Sequence, residues 1–187
     1  MFIKAVVGLL ALAGGCAVLA ALAILFVAPR MNWDAAAMPG AVEKSVAGLV
    51  LHQWVQRNAP GDNNPFPPTA ENLKAGRREF GEHCAVCHGA DGSAHTQLGA
   101  DFYPPVARLE RGSPGWSDGD LFFIISNGIR YTGMPGFGAR HKPETIWRII
   151  LWIRQLPHLT AQEKADLENE GSEGLMKHEA GEHEHGD

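Results

Sequence analysis

Residues 78–92 read REFGEHCAVCHGADG and place Cys84 and Cys87 three apart, with His88 directly behind the second. Three chemistries use such a group: a structural zinc site, a redox dithiol and covalent attachment of a c-type haem. A structural zinc ion needs four ligands, commonly from two Cys or His pairs. The chain has no second cysteine pair, and His95, His141 and His158 match no usual ligand-pair spacing. A redox dithiol belongs at the end of a strand in a βαβ unit, and no stretch here alternates strictly enough to be a strand. The haem reading explains the spacing. Cys84 and Cys87 lie on one side of a helical turn and can form thioethers with two vinyl groups, while His88 falls beneath the ring, where an imidazole nitrogen binds iron.

The five-residue string becomes specific when a suitable second axial ligand follows it. Met134 stands in YTGMPGFG, a turn-forming stretch. Glycine and proline on either side fix such a loop without crowding a flat macrocycle, and a methionine bracketed by Gly133 and Pro135 does not read as helical core. His95, His141 and His158 are the competing ligands.

Several elements must position these residues. Thr69 suits the N-cap of a helix running through Leu73, Gly76 and Phe80 into the cysteine motif, although Asn72 leaves a capping box incomplete. Ser117-Asp118-Gly119-Asp120 opens a second helix, LFFIISNG, which Asn127-Gly128 closes through a left-handed turn. Pro143 starts a third, ETIWRIILWIRQL, stopped by Pro157; Ile146, Ile149, Ile150 and Ile153 share one face. The fold class read from these signals is all-α: a small helical domain over residues 70–160 around one haem, preceded by a single N-terminal transmembrane helix.

That span lies within residues 1–28. Ala5 to Ala28 carries no charge, and a helix of this length reaches about 36 Å, enough for a hydrocarbon layer of roughly 30 Å. A cleaved secretory signal is the rival, but its apolar region is shorter, and Pro29 follows the only well-placed alanine. Cys16, in LAGGC, departs from a lipid-attachment box and reads as a small apolar residue of the span. Residues 29–69 read as a linker. Within it Val42 to Gln56 forms a possible short helix, with Val42, Val46, Leu49, Val50 and Trp54 near a helical period, that lies on the membrane or on a partner. APGDNNPFPPT then suits a semi-rigid spacer.

Residues 161–187 hold nine carboxylates against two lysines and read as a disordered acidic tail. Its His178, His183 and His185 offer weak metal binding as a further reading. The net charge of −5 argues against a nucleic-acid partner, which wants a basic face.

Residues 70–157 resemble the class I monohaem c-type cytochromes. The resemblance rests on Gly76 and Phe80 leading into CAVCHG, on the GMP loop at Met134, and on an aromatic-bearing last helix around Trp147 and Trp152. It implies a small helical bundle whose first and last helices cross, bringing Gly76 and Phe80 to the Trp152 region. It also implies a proline carbonyl that orients the proximal imidazole, for which Pro104 and Pro105 are candidates. The cofactor implied is one covalent haem c, with Cys84, Cys87, His88 and Met134 as its binding residues and His88 and Met134 on the iron.

Histidine with methionine raises the reduction potential, and filling both axial positions leaves no open site for a substrate. The expected function is one-electron transfer by a membrane-anchored carrier, with no catalytic residue and no small-molecule substrate. It would serve redox protein partners as a free carrier between respiratory or dehydrogenase complexes, or as a subunit of one. The family attaches haem outside the cytoplasm, which implies a single-pass protein of the inner membrane with its haem domain on the periplasmic side. Arg130, Arg140, His141 and Lys142 flank the methionine loop and offer a basic rim to an acidic partner, or a solvated face. The alternative function is a haem sensor or peroxidase-like enzyme in which Met134 is displaced.

Overall fold

An uncharged run after Lys4 satisfies its backbone internally, and Phe2–Val27 forms helix α1. The computed structural model describes residues 2–30, 34, 37, 39–61, 63–100, 102–113, 115–167 and 169. Among them α1, continued to Arg30, is the one helix long and apolar enough to cross a membrane, with mean hydropathy 2.6 and no part of it buried. The chain divides after Ala37 into two compact units, the first containing α1.

The second unit is helical, with no strand among the described residues: α2 (Ala41–Asn58), α3 (Ala70–His83), α4 (Ala85–His88), α5 (Gln97–Ala100), α6 (Asp118–Asn127) and α7 (Pro143–Gln155). Its centre is α7. The expected face is fully realised, with Ile146, Ile149, Ile150 and Ile153 at 5% exposure or less. Trp147, Leu151 and Trp152 are buried as well, so this helix is covered nearly all round rather than on one stripe. Proline at its first turn and a 3-10 turn at Leu156–His158 bound it.

Helices α3 and α7 cross where the sequence reading places them. A Cβ on Gly76 would overlap the carbonyl of Arg148 and lie 3.3 Å from Trp152 Cβ. Only glycine lets the two backbones approach this closely. Thr69 Oγ1 accepts from the Asn72 backbone N–H at 3.3 Å. The Asn72 side chain does not complete a box but ties outward, donating to the Pro67 carbonyl and accepting from Arg148 Nε at 3.1 Å.

At α6 the capping box is complete: Ser117 Oγ accepts from Asp120 N, and Asp120 Oδ2 accepts from Ser117 N at 2.8 Å. Arg154 of α7 reaches the same point, donating to Asp118 Oδ1 at 2.8 Å and to the Trp116 carbonyl at 2.7 Å.

The structure differs from the expected linker over residues 41–69. Helix α2 forms, but it packs on α6 through Val55, fully buried, with Trp54 against Phe123 and Gln56 donating to Asp120 Oδ2 at 3.0 Å. Val42, Val46, Leu49 and Val50 stay exposed. Val55, two ring contacts (Trp54 with Phe123 and His52 with Trp116) and one polar tie dock the helix; the valine and leucine series does not. The spacer after it is also anchored, by Asn64 Nδ2 donating to the Trp147 carbonyl at 2.8 Å and by Arg148 lying 4.7 Å over the Phe66 ring.

The expected tail also starts too early at 161. Residues 161–167 are helical, and Leu167 joins the apolar core. The reason is a capping box at Thr160 and Glu163: Glu163 Oε2 accepts from Thr160 N at 2.7 Å and Thr160 Oγ1 accepts from Glu163 N at 3.2 Å. Those hydrogen bonds hold the Glu163 carboxyl below its ordinary range. His178, His183 and His185 lie outside the described residues.

Candidate functional site

The α3 helix ends on Cys84, whose N–H still bonds to the Phe80 carbonyl. One further turn, α4, then carries Cys87 and His88. Cys87 N and His88 N both donate to the Cys84 carbonyl, at 3.2 and 2.9 Å. The two thiols and the imidazole therefore share a single turn whose orientation is inherited from α3. The turn is braced from outside as Thr96 Oγ1 donates to the Cys87 carbonyl at 3.2 Å.

His88 Nδ1 lies 3.0 Å from the Ala107 carbonyl oxygen. A carbonyl only accepts, so Nδ1 carries the proton and Nε2 keeps its lone pair for a metal. Burial pushes the His88 pKa down, partly offset by that hydrogen bond, and so favours the neutral imidazole that can ligate. This corrects the expectation for Pro104 and Pro105. Both are exposed, and the orienting carbonyl comes two residues later, at Ala107. No sequence signal could have found it, because every residue type presents the same carbonyl.

Burial, with the neighbouring Cys87, raises the Cys84 thiol to about 12, so it stays protonated at neutral pH. Cys84 and Ala85 both border the apolar core.

Met134 lies far along the chain, in a loop folded back onto the end of α6. Ile129 N donates to the Met134 carbonyl at 3.1 Å, and Met134 N donates to Thr132 Oγ1 at 3.1 Å. Gly128 makes the return possible: its φ is +70°, and a Cβ there would lie 2.6 Å from Gly136 N and 2.7 Å from the Met134 carbonyl. Phe137 N and Gly138 N then donate to the carbonyls of Ile125 and Ser126. Met134 and Cys84 thus border the same buried cluster.

The residues present fit a covalently held haem. Two cysteines stand one turn apart, the imidazole has one nitrogen pinned and the other without a hydrogen-bond partner among the described residues, and a thioether loop is closed on the same core. Of the competing histidines, His95 and His158 are exposed. His141 packs edge-on against His83, ring centroids 4.6 Å apart, and against Phe137 at 5.5 Å. Arg130, Arg140 and Lys142 are exposed.

Residues 71–153 match the family described as cytochrome C oxidase, cbb3-type, subunit III. A curated relative, quinohemoprotein alcohol dehydrogenase ADH IIB of Pseudomonas putida, is 28% identical over 105 residues, which are 54% of this chain and 14% of that protein. The chain therefore spans a small part of that relative's length. Among solved structures, a reducing HAO-like protein complex of Kuenenia stuttgartiensis aligns with 22% identity over 52% of this chain and 50% of that one, at a TM-score of 0.45. Cytochrome CL of Methylophaga aminisulfidivorans aligns with 21% identity over 72% and 83%, at 0.35.

Proposed function

We propose that residues 71–153 form a c-type cytochrome domain and that the chain is a one-electron carrier whose single haem is held by Cys84, Cys87, His88 and Met134. The observation that carries this reading is the His88 geometry. Its Nδ1–H is fixed on the Ala107 carbonyl at 3.0 Å and its Nε2 has no hydrogen-bond partner among the described residues, on the same turn as both thiols. When bound, haem iron supplies reversible one-electron chemistry without substrate binding.

The chain's own residues set the conditions for it. His88 is oriented by Ala107 and made a better donor by giving its other N–H to that carbonyl. Met134 offers a soft thioether, which favours the reduced state and raises the potential. The apolar cluster of Phe80, Ile150, Leu156 and their neighbours excludes water from one side of the site, which also favours the less charged reduced state.

Helix α1 is read as a retained membrane anchor in the inner membrane, with the haem domain on the periplasmic side. The carrier would then exchange electrons with redox proteins at that surface, moving between respiratory or dehydrogenase complexes or serving as a subunit of one. The relative named as a quinohemoprotein alcohol dehydrogenase supports a dehydrogenase as donor. Binding of protein partners is assigned to the exposed arginines and lysine around the methionine loop, which complement an acidic surface and steer encounter.

The test is an absorption spectrum of the full chain, matured with its haem and recorded oxidised and reduced. A single low-spin c-type spectrum is expected, with the weak long-wavelength band of thioether-ligated ferric haem. Met134→Ala should keep the covalent haem and lose that band. A wild-type spectrum that changes fully with carbon monoxide would instead indicate an open iron, and with it a sensor or peroxidase-like enzyme.

A further inference from the structure

Helix α3 carries Glu79 and His83 four residues apart on one face, His83 directly before the first cysteine. Opposite them, the turn that precedes α7 brings in His141, whose backbone N–H donates to the Phe137 carbonyl at 3.0 Å. One ligand atom from each of the three side chains lies within 4.8 Å of the other two. We propose that Glu79, His83 and His141 form a binding site for a divalent transition-metal ion of the zinc type, separate from the haem residues.

Two imidazoles and one carboxylate are a common protein ligand set for zinc, which tolerates an open fourth position for water or a partner's side chain. Imidazole also suits copper(II), which binds such sets still more tightly. A tetrahedral ion with bonds near 2.1 Å holds its ligand atoms roughly 3.4 Å apart. From a spacing of at most 4.8 Å, the ligand atoms close by no more than about 1.4 Å to reach that geometry.

His141 gives a second, independent sign. Its Nδ1 is buried and has no hydrogen-bond partner among the described residues. A nitrogen shut away from water in this state is costly, and an ion bound through Nδ1 would remove that cost. The ring itself is held in place, edge-on to both His83 and Phe137. Glu79 is engaged by Arg78 Nη2 through Oε1 at 2.6 Å, and its carboxylate has a second oxygen with which to ligate. Arg78 is two-thirds exposed, so this surface pair gives up little on exchange. Glu82 Oε2, 3.9 Å from His83 Nε2, adds negative charge beside the cluster.

The test uses the full chain in detergent with its haem attached, titrated with zinc against a chromogenic chelator. Wild type, His141→Ala, Glu79→Gln and a chain with His178, His183 and His185 all changed to Ala are compared, with far-UV circular dichroism as the control for folding. One zinc ion per chain is expected. It should persist in the tail variant and weaken more than about tenfold in His141→Ala, since even outer-shell partners are worth roughly that much. His83→Gln should repeat that loss in case the first variant fails the folding control. Zinc-edge X-ray absorption of wild type should show two imidazoles in the coordination sphere. Unchanged affinity in both histidine variants, or binding lost with the tail histidines alone, would overturn the site.

Discussion

At the scale of single residues, two positions carry constraints stronger than their chemistry suggests. Gly76 has no functional group, yet the backbone of Arg148 occupies the place where its Cβ would stand. Backbone cannot move aside as a flexible side chain does. Gly76→Ala should therefore cost about 3 kcal/mol, the upper range for overpacking, read as a lower denaturant midpoint with an unchanged slope. His88 is the converse case, a reactive group whose state is set by a neighbour. The Ala107 carbonyl decides which ring nitrogen bears the proton, and the side chain at position 107 contributes nothing to that choice. Ala107→Val should accordingly leave the iron ligation and its spectrum intact, because the carbonyl is unchanged.

At the scale of elements, the joint between α2, α6 and α7 concentrates on Asp120. Its carboxylate closes the α6 capping box and also receives Gln56 of α2, while Asp118 in the same turn receives Arg154 of α7. Ser117→Ala removes one half of the box and should cost about 1 kcal/mol. Asp120→Ala leaves both Ser117 N–H and Gln56 without their acceptor. It should cost more, about 2 kcal/mol, and should increase hydrogen exchange in α2 as well as α6. Equal effects of the two substitutions, with α2 exchange unmoved, would show that Gln56 does not help hold α2 in place.

At the scale of the whole molecule, the boundary after Ala37 separates α1 from a unit that holds its own core. All the residues assigned to haem and to the Glu79, His83, His141 cluster lie in the second unit. A chain starting at residue 38, exported and matured with haem, should be released from membranes while keeping the absorption spectrum and thermal midpoint of the full chain. A truncated chain that still sediments with membranes would transfer the anchoring role to the exposed Val42, Val46, Leu49 and Val50 of α2.

The sequence by itself determined the local features. Periodicity, caps and prolines named α3, α6 and α7, since those signals act within a few residues: Ser117 with Asp120, Gly128 at a left-handed turn, Pro143 at a first helical turn. The spacing of Cys84, Cys87 and His88 was equally legible, because one helical turn makes the cluster. The Thr160 to Glu163 box was present in the same code and extends the folded part beyond the expected boundary. Only the tertiary structure decided what depends on distant segments meeting. It chose Ala107 as the partner of His88, although a backbone carbonyl has no residue signature. It docked α2 by Val55 and by Trp54, leaving the rest of its apolar series, Val42, Val46, Leu49 and Val50, exposed. It also brought His141 to Glu79 and His83. Such contacts, like the crossing of α3 and α7 at Gly76, join segments far apart in the chain and are properties of the packed chain rather than of any stretch read alone.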